Sequence, residues 1–427
     1  MLHIPESSLA LKLLAPVFFF SAITAVLQGY FQGIGTAMPT VISSIMKQVF
    51  GLFFVTLFAS IFYGYGEKAA ALLQNGKFIN MYGAGGAALG ILCALVLPTG
   101  FLLLIYLGAG RRARYKMKDG MRLSESLTET LRLLLLSMLP ASCIYFLSRT
   151  VILIGLGMYR SNQTDLLAGM TAYGAFYGKY LMLAGLLISI VLFTSSGVEY
   201  AVVNAVKSEE YKSAKNYLTA GIQSVFMLAS FFAMLCLVLA PGLMKILFGD
   251  LEGSMSIICM QHGFLLILFL PMGIYFSRIL SSIGKQNMTL ISLICSVAVF
   301  IITALICLKT TKGSVLALVY AMLLFALVYT LINVFFLSQK LKYNLEWLHV
   351  VISPFAAIIV SGLCTFLLNR ALVLFAGETL ATILSLFIGG ISYLILIFVF
   401  HCVREKDLYL MPGGNFLYKL GRFLHLL

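Results

Sequence analysis

The sequence predicts an all-α, polytopic integral membrane protein of about eleven transmembrane helices, with its N-terminus outside and its C-terminus inside. Three observations predict it. Hydrophobic residues make up 61% of the 427 and charged residues only 10%, with a mean hydropathy of +1.03, which leaves too little polar surface to cover a core in water. The apolar residues fall in runs of about twenty or more, the length a helix needs to cross roughly 30 Å of hydrocarbon, without the alternation of barrel strands. Lys and Arg gather beside the ends of those runs, predominantly on one side of the membrane, as cytoplasmic loops require.

In chain order the predicted spans are 10 to 30, 41 to 63, 80 to 108, 133 to 158, 173 to 203, 217 to 240, 258 to 280, 288 to 308, 314 to 337, 349 to 369 and 379 to 403. The first opens almost directly after MLHIPESSLALK, with no basic region and small-residue cleavage site of a signal peptide before it. The third contains GAGGAALG at 83 to 90; no strand precedes this run and no GK[ST] follows it, so it reads as a close helix-packing surface and not a phosphate cradle. Between the third and fourth, the loop at 109 to 132 carries Arg111, Arg112, Arg114, Lys116, Lys118, Arg122 and Arg132, the densest basic cluster, which places it in the cytoplasm. Lys207, Lys212 and Lys215, then Arg278 and Lys285, then Lys340 and Lys342, and finally Arg404, Lys406, Lys419 and Arg422 then fall on the same side. Trp347 reads as an interfacial anchor before the tenth span. In the tail, NFLYKLGRFLHLL puts Leu417, Leu420, Leu424 and Leu427 on one face, with Lys419 and Arg422 elsewhere, as suits an interfacial helix on anionic lipid.

Several function classes drop out. The net charge of +14 is distributed beside the spans and forms no single stripe, so no nucleic-acid partner is expected. The eight cysteines lie in or beside apolar segments without paired spacing, and the five histidines form no ligand pattern with nearby acids. No metal and no cofactor is expected. No Ser/His/Asp arrangement or carboxylate pair stands on either aqueous side, and no loop is long enough for a catalytic domain, so the chain is not expected to be an enzyme.

An internal repeat gives the first functional pointer. IGTAMPTVISSI at 34 to 45 aligns without gaps on IGKQNMTLISLI at 283 to 294: Ile34, Gly35, Thr40, Ile42, Ser43 and Ile45 recur as Ile283, Gly284, Thr289, Ile291, Ser292 and Ile294. Each copy bridges two spans across a cytoplasmic turn, after a span containing a proline (Pro16, Pro271). Copies of like orientation imply two lobes related by an axis along the membrane normal, the plan of transporters built from parallel repeats. The repeat is thus a three-helix unit; three more spans, at about 133 to 240, precede the second unit and none precedes the first. Equal lobes would therefore require three further N-terminal helices, a start part-way through the fold.

LQGYFQGIGTAMPT at 27 to 40 resembles the R-G-Y-F-Q-G-x-x-x-x-x-P-T signature of the stage V sporulation protein B and polysaccharide-transporter branch of the multidrug/oligosaccharidyl-lipid/polysaccharide exporter superfamily. YGAFYGKYLML at 173 to 183, APGLMKILFG ending at Gly249 and RILSSIGKQ at 278 to 286 are similar to family segments in order and spacing. Gln28 stands where the signature has Arg, Lys47 where relatives often carry an acid, and Val203 where a proline usually ends a helix. The resemblance implies two six-helix lobes around a central cavity plus two extra C-terminal helices, and alternating-access flipping of an undecaprenyl-diphosphate-linked oligosaccharide or peptidoglycan precursor across the cytoplasmic membrane. On that plan, 1 to 108 is an incomplete N-terminal lobe of three helices, 109 to 132 a basic cytoplasmic linker, 133 to 337 the C-terminal lobe of six, 338 to 403 the extra pair and 404 to 427 the interfacial tail. The partners expected are the anionic lipid-linked sugar and membrane lipids.

Ionisable groups within spans are the candidate site residues, because they persist in hydrocarbon mainly where they face a cavity or a partner. Lys179 lies where the resemblance places a cavity-facing cation, and an ammonium there attracts a lipid diphosphate as a point charge; the structural alternative is snorkelling to the outer interface. Arg149 is the second candidate, while Lys47 is close enough to the inner edge to snorkel. Gln28 and Gln32 either hydrogen-bond sugar hydroxyls or join helices. Glu199, near the inner end of its span, is a possible ion-coupling acid or a partner for a loop lysine. The alternative functions are a cation-coupled multidrug exporter of the same superfamily, for which Glu199 would be almost the only embedded acid, and a non-transporting truncated remnant.

Overall fold

The computed structural model describes all residues except 1–6, 34, 35, 37, 118–125, 250–252, 342–351, 401, 404–407, 412 and 424–427. Trp347, Lys118, Arg122, Lys342, Arg404, Lys406, Leu424 and Leu427 therefore lie outside the described residues, as do the side chains of Leu417 and Leu420. The chain is a multi-pass membrane protein: among the described residues, eleven helices are long and apolar enough to span a bilayer. It divides into two compact units, Met1–Ser126 and Leu127–Leu427.

The first unit holds α1 (Ser8–Gly33), α2 (Met38–Leu73) and α3 (Lys77–Met117). Helix α3 packs along both others, and GAGGAALG forms the seam. A Cβ on Gly86 would lie 2.3 Å from the Phe58 carbonyl oxygen, one on Gly90 2.6 Å from that of Phe54, and one on Gly85 2.7 Å from Leu9. Small residues four apart thus bring the α2 and α3 backbones together, which is how helices gain contact in lipid, where apolar burial alone supplies no drive. Part of the expected basic loop is helix: α3 continues through Arg111, Arg112, Arg114 and Lys116. Arg and Lys are good helix formers and their charge suits a helix C-terminus, so α3 extends about 60 Å, beyond the roughly 30 Å core.

The second unit comprises α4 (Leu127–Ser161), α5 (Leu166–Gly174), a π-helical segment (Ala175–Leu181), α6 (Met182–Lys207), α7 (Tyr211–Val238), α8 (Ala240–Phe248), α9 (Met255–Ser282), α10 (Gln286–Thr310), α11 (Leu316–Leu341), α12 (Ser353–Ala376), α13 (Glu378–Val399) and α14 (Gly414–Phe423). Its core joins α6, α7, α9, α10 and α11, with Tyr180, Leu218, Ile222, Met260 and Phe300 all at most 1% exposed. Inside α9, Pro271 has no N–H to give the helix ladder. Thr330 on α11 donates to the Phe269 carbonyl at 2.7 Å and Asn333 to the Gly273 carbonyl at 3.5 Å, so α11 clasps the backbone on both sides of the proline. Helices α12 and α13 pair with each other and lean on α7.

The repeated motif recurs as geometry. In the first copy the Thr36 N–H reaches the Phe31 carbonyl at 3.0 Å, Thr40 Oγ1 the Gln28 carbonyl at 3.5 Å and Ser43 Oγ the Thr40 carbonyl at 2.8 Å. At the same offset in the second, the Lys285 N–H reaches the Leu280 carbonyl at 2.9 Å, Thr289 Oγ1 the Ser277 carbonyl at 3.4 Å and Ser292 Oγ the Thr289 carbonyl at 2.8 Å. Gly284, at φ +79°, turns this second corner in the left-handed region that glycine enters without strain.

Beyond α13, the turn at Leu408 and Met411 is buried in a cluster with Tyr393, Ile397 and Cys402. Tyr418 of α14 meets the Tyr409 ring at 5.4 Å. Lys419 and Arg422 stand exposed on the same helix.

Candidate functional site

Lys179 sits in the π-helical segment, a feature that hydropathy and motif reading both missed. Asp165 starts the helix that leads to it, its carboxylate accepting from the N–H groups of Leu167 at 3.0 Å and Ala168 at 3.4 Å. From Ala175 to Leu181 the ladder widens to π geometry, then returns to α. Such turns are rare and occur frequently at functional sites, because they re-aim side chains within an otherwise regular helix.

One face of the turn is anchored by aromatic rings. Tyr159 of α4 meets Tyr173 at 5.9 Å, Tyr173 meets Phe176 at 5.8 Å, and Phe176 meets Tyr180 at 5.9 Å. Tyr180, 1% exposed, donates its hydroxyl to the Gly263 carbonyl of α9 at 2.8 Å. A Cβ on Gly263 would lie 2.1 Å from that hydroxyl oxygen, so the glycine makes room for the anchor. The residue beside this fixed tyrosine, Lys179, is half-buried, and its ammonium stands 5.8 Å from the centroid of the Phe248 ring at the end of α8. A cation over an aromatic face gains electrostatically from the ring quadrupole.

Each of the remaining candidates is exposed on its own helix or engaged with a neighbour. Arg149 is exposed on α4, its guanidinium 5.8 Å from the ring of Tyr145 one turn earlier. Gln28 joins helices: its Nε2 donates to Ser43 Oγ on α2 at 3.0 Å. Gln32 is exposed at the end of α1, and Lys47 is exposed on α2. Glu199 corrects the expectation of a loop-lysine partner: it faces Arg278 of α9 at 3.8 Å. The packing of α6 against α9 brings Arg278 within reach of Glu199. Among the described residues no group of three or more His, Cys, Asp or Glu is placed to hold a metal ion.

No protein-family model and no curated protein sequence matches the chain. Among solved structures it is similar to the lipid II flippase MurJ in its inward closed conformation, with a TM-score of 0.60 at 14% sequence identity, covering 91% of this chain and 74% of that one. The likeness is one of fold: the chain shares the all-helical, multi-pass architecture of that structure.

Proposed function

We propose that this chain is a transporter of the cytoplasmic membrane that flips an undecaprenyl-diphosphate-linked oligosaccharide or peptidoglycan precursor between leaflets by alternating access. The observation that carries the reading is the fold shared with a lipid II flippase. The basic character of the embedded candidates supports it chemically. A lipid diphosphate needs cations in a low-dielectric site, and an ammonium held over an aromatic ring, as Lys179 is over Phe248, supplies one. Arg149 is the second cation assigned to this cargo, and Gln32 is the candidate for sugar hydroxyls. Gln28 is assigned to helix joining by its bond to Ser43. The polysaccharide-transporter branch of the superfamily is the part of this reading that rests on the motif at 27 to 40.

A cation-coupled exporter would require an embedded acid that exchanges ions during the cycle. Glu199 faces Arg278 instead, which favours the anionic cargo.

The test is flipping of a fluorescent lipid-linked precursor in proteoliposomes, read by access of an aqueous quencher. Lys179→Ala is expected to abolish flipping, and Lys179→Arg to retain much of it because the charge persists. Unchanged flipping in Lys179→Ala would remove the lysine from the mechanism; no flipping by the unaltered chain would overturn the functional reading itself.

A further inference from the structure

A cavity of about 620 Å³ opens on the flank of the second unit, bounded by α7, α8, α9, α12 and the start of α13. This lies within the roughly 300–1,000 Å³ range of small-molecule sites. Met234, Leu268, Leu363 and Phe366 give it an apolar trough. The α7 wall runs from Ser230 to Val238 and the α9 wall from Gln261 to Leu268, which at 1.5 Å per residue is about 10 to 12 Å, on the scale of one leaflet of a roughly 30 Å core. Charge topology puts the end of α12 and the start of α13 at the outer interface.

The polar groups collect at that outer rim. Glu378 on α13 pairs with Lys245 on α8, so these two charges cancel. Arg370 remains: among the described residues no carboxylate pairs with it, and its guanidinium stands 5.5 Å from the Phe366 ring centroid. Beside it, Asn369 Oδ1 is buried and has no hydrogen-bond partner among the described residues. Buried acceptors are nearly always satisfied, so an orphan lining a cavity marks the place of a donor that a ligand brings.

We propose that this groove binds one glycerophospholipid of the outer leaflet with an anionic, hydroxyl-bearing headgroup of the phosphatidylglycerol type. Its acyl chain lies in the trough, its phosphate accepts from the Arg370 guanidinium, and a headgroup hydroxyl donates to Asn369 Oδ1. The charges favour this occupant. The rim carries one uncompensated positive charge, which matches the single negative charge of a phosphodiester, whereas a lipid diphosphate would bring more charge than the rim neutralises. The site rests on the orientation of the spans and is independent of the transport reading.

The experiment uses the full chain in nonionic detergent, offered phosphatidylglycerol or phosphatidylcholine of matched acyl chains, with retained lipid counted by native mass spectrometry. One phosphatidylglycerol per chain is expected, in clear preference to phosphatidylcholine, which lacks the headgroup donor. Arg370→Gln is expected to weaken retention about tenfold, the scale of one charge-assisted hydrogen bond, and Arg370→Lys to restore most of it. Leu363→Trp, which fills the trough, should reduce retention of both lipids while circular dichroism reports an unchanged helical fold. Equal retention by the unaltered chain and Arg370→Gln, no preference between the two lipids, or displacement of phosphatidylglycerol by an equimolar polyprenyl diphosphate would each overturn the proposal.

Discussion

Replacing Gly86 by alanine is expected to destabilise the α2–α3 pair, whereas the same replacement at Gly83, one turn away, is expected to stabilise it. The added Cβ at Gly86 would stand 2.3 Å from a backbone carbonyl oxygen, against 3.4 Å or more for an ordinary contact, so the two backbones must separate by about 1 Å. Overpacking of that kind costs about 1–3 kcal/mol, and helix propensity returns roughly 0.5–1 kcal/mol when glycine becomes alanine, leaving a net loss of about 1–2 kcal/mol. At Gly83 the nearest atom is a Tyr63 side-chain carbon at 3.6 Å, so only the propensity gain remains. The two variants should therefore differ by about 2 kcal/mol, a factor of roughly 30 in the folded-to-unfolded ratio. Steric trapping in micelles, with tags on α2 and α3, measures the difference. Equal stability of the two variants, or a more stable Gly86→Ala, would refute the close-approach argument.

Other outcomes follow from features of the second unit. Ser292→Ala removes a buried 2.9 Å bond to Asn333 Oδ1 and should cost about 0.6 kcal/mol, the average for interhelical bonds in membranes, with roughly 1.7 kcal/mol as the upper bound; denaturant titration of the purified chain checks it. Glu199→Gln should change stability by less than about 1 kcal/mol, because Arg278 is 45% exposed and the pair stands 3.8 Å apart; the small loss should shrink further in high salt. Cys402 lies past the last span, buried, and burial pushes its thiol up to about 12. At pH 8 it should resist maleimide in the folded chain and react after unfolding, because only the thiolate is nucleophilic. Between about pH 9 and 12 the unfolded chain ionises this thiol and the folded chain does not, so stability declines as pH rises through that window. Rapid labelling of the folded protein at pH 8 would contradict this.

Run length and hydropathy were sufficient to locate the spans, because a helix in hydrocarbon has few other ways to satisfy its backbone. Predicted 288 to 308 corresponds to Gln286–Thr310, and predicted 10 to 30 to Ser8–Gly33. The packing role of GAGGAALG was legible too, since glycines four apart leave little else for that face to do. What stayed hidden depends on tertiary partners. Nothing in AFYGKYL distinguishes a π turn from an α turn; the register change is stabilised by Tyr180 reaching Gly263, eighty-three positions away. Pairing of Glu199 with Arg278 depends on α6 meeting α9, a choice among equally apolar faces that hydropathy leaves open. The groove beside α12 has the same origin: its trough residues read as ordinary lipid-facing side chains until α7 and α9 rise beside them.

The two corners that share their hydrogen bonds give the chain a built-in duplicate measurement. Thr40 and Thr289 make the same contact, yet Thr40 is half-buried whereas Thr289 is fully enclosed. Valine at one and then at the other removes the same hydroxyl from the same backbone acceptor, so whatever differs between the two results belongs to the surroundings. A single polypeptide thus supplies both the trial and its reference for how strongly a membrane interior weights one hydrogen bond.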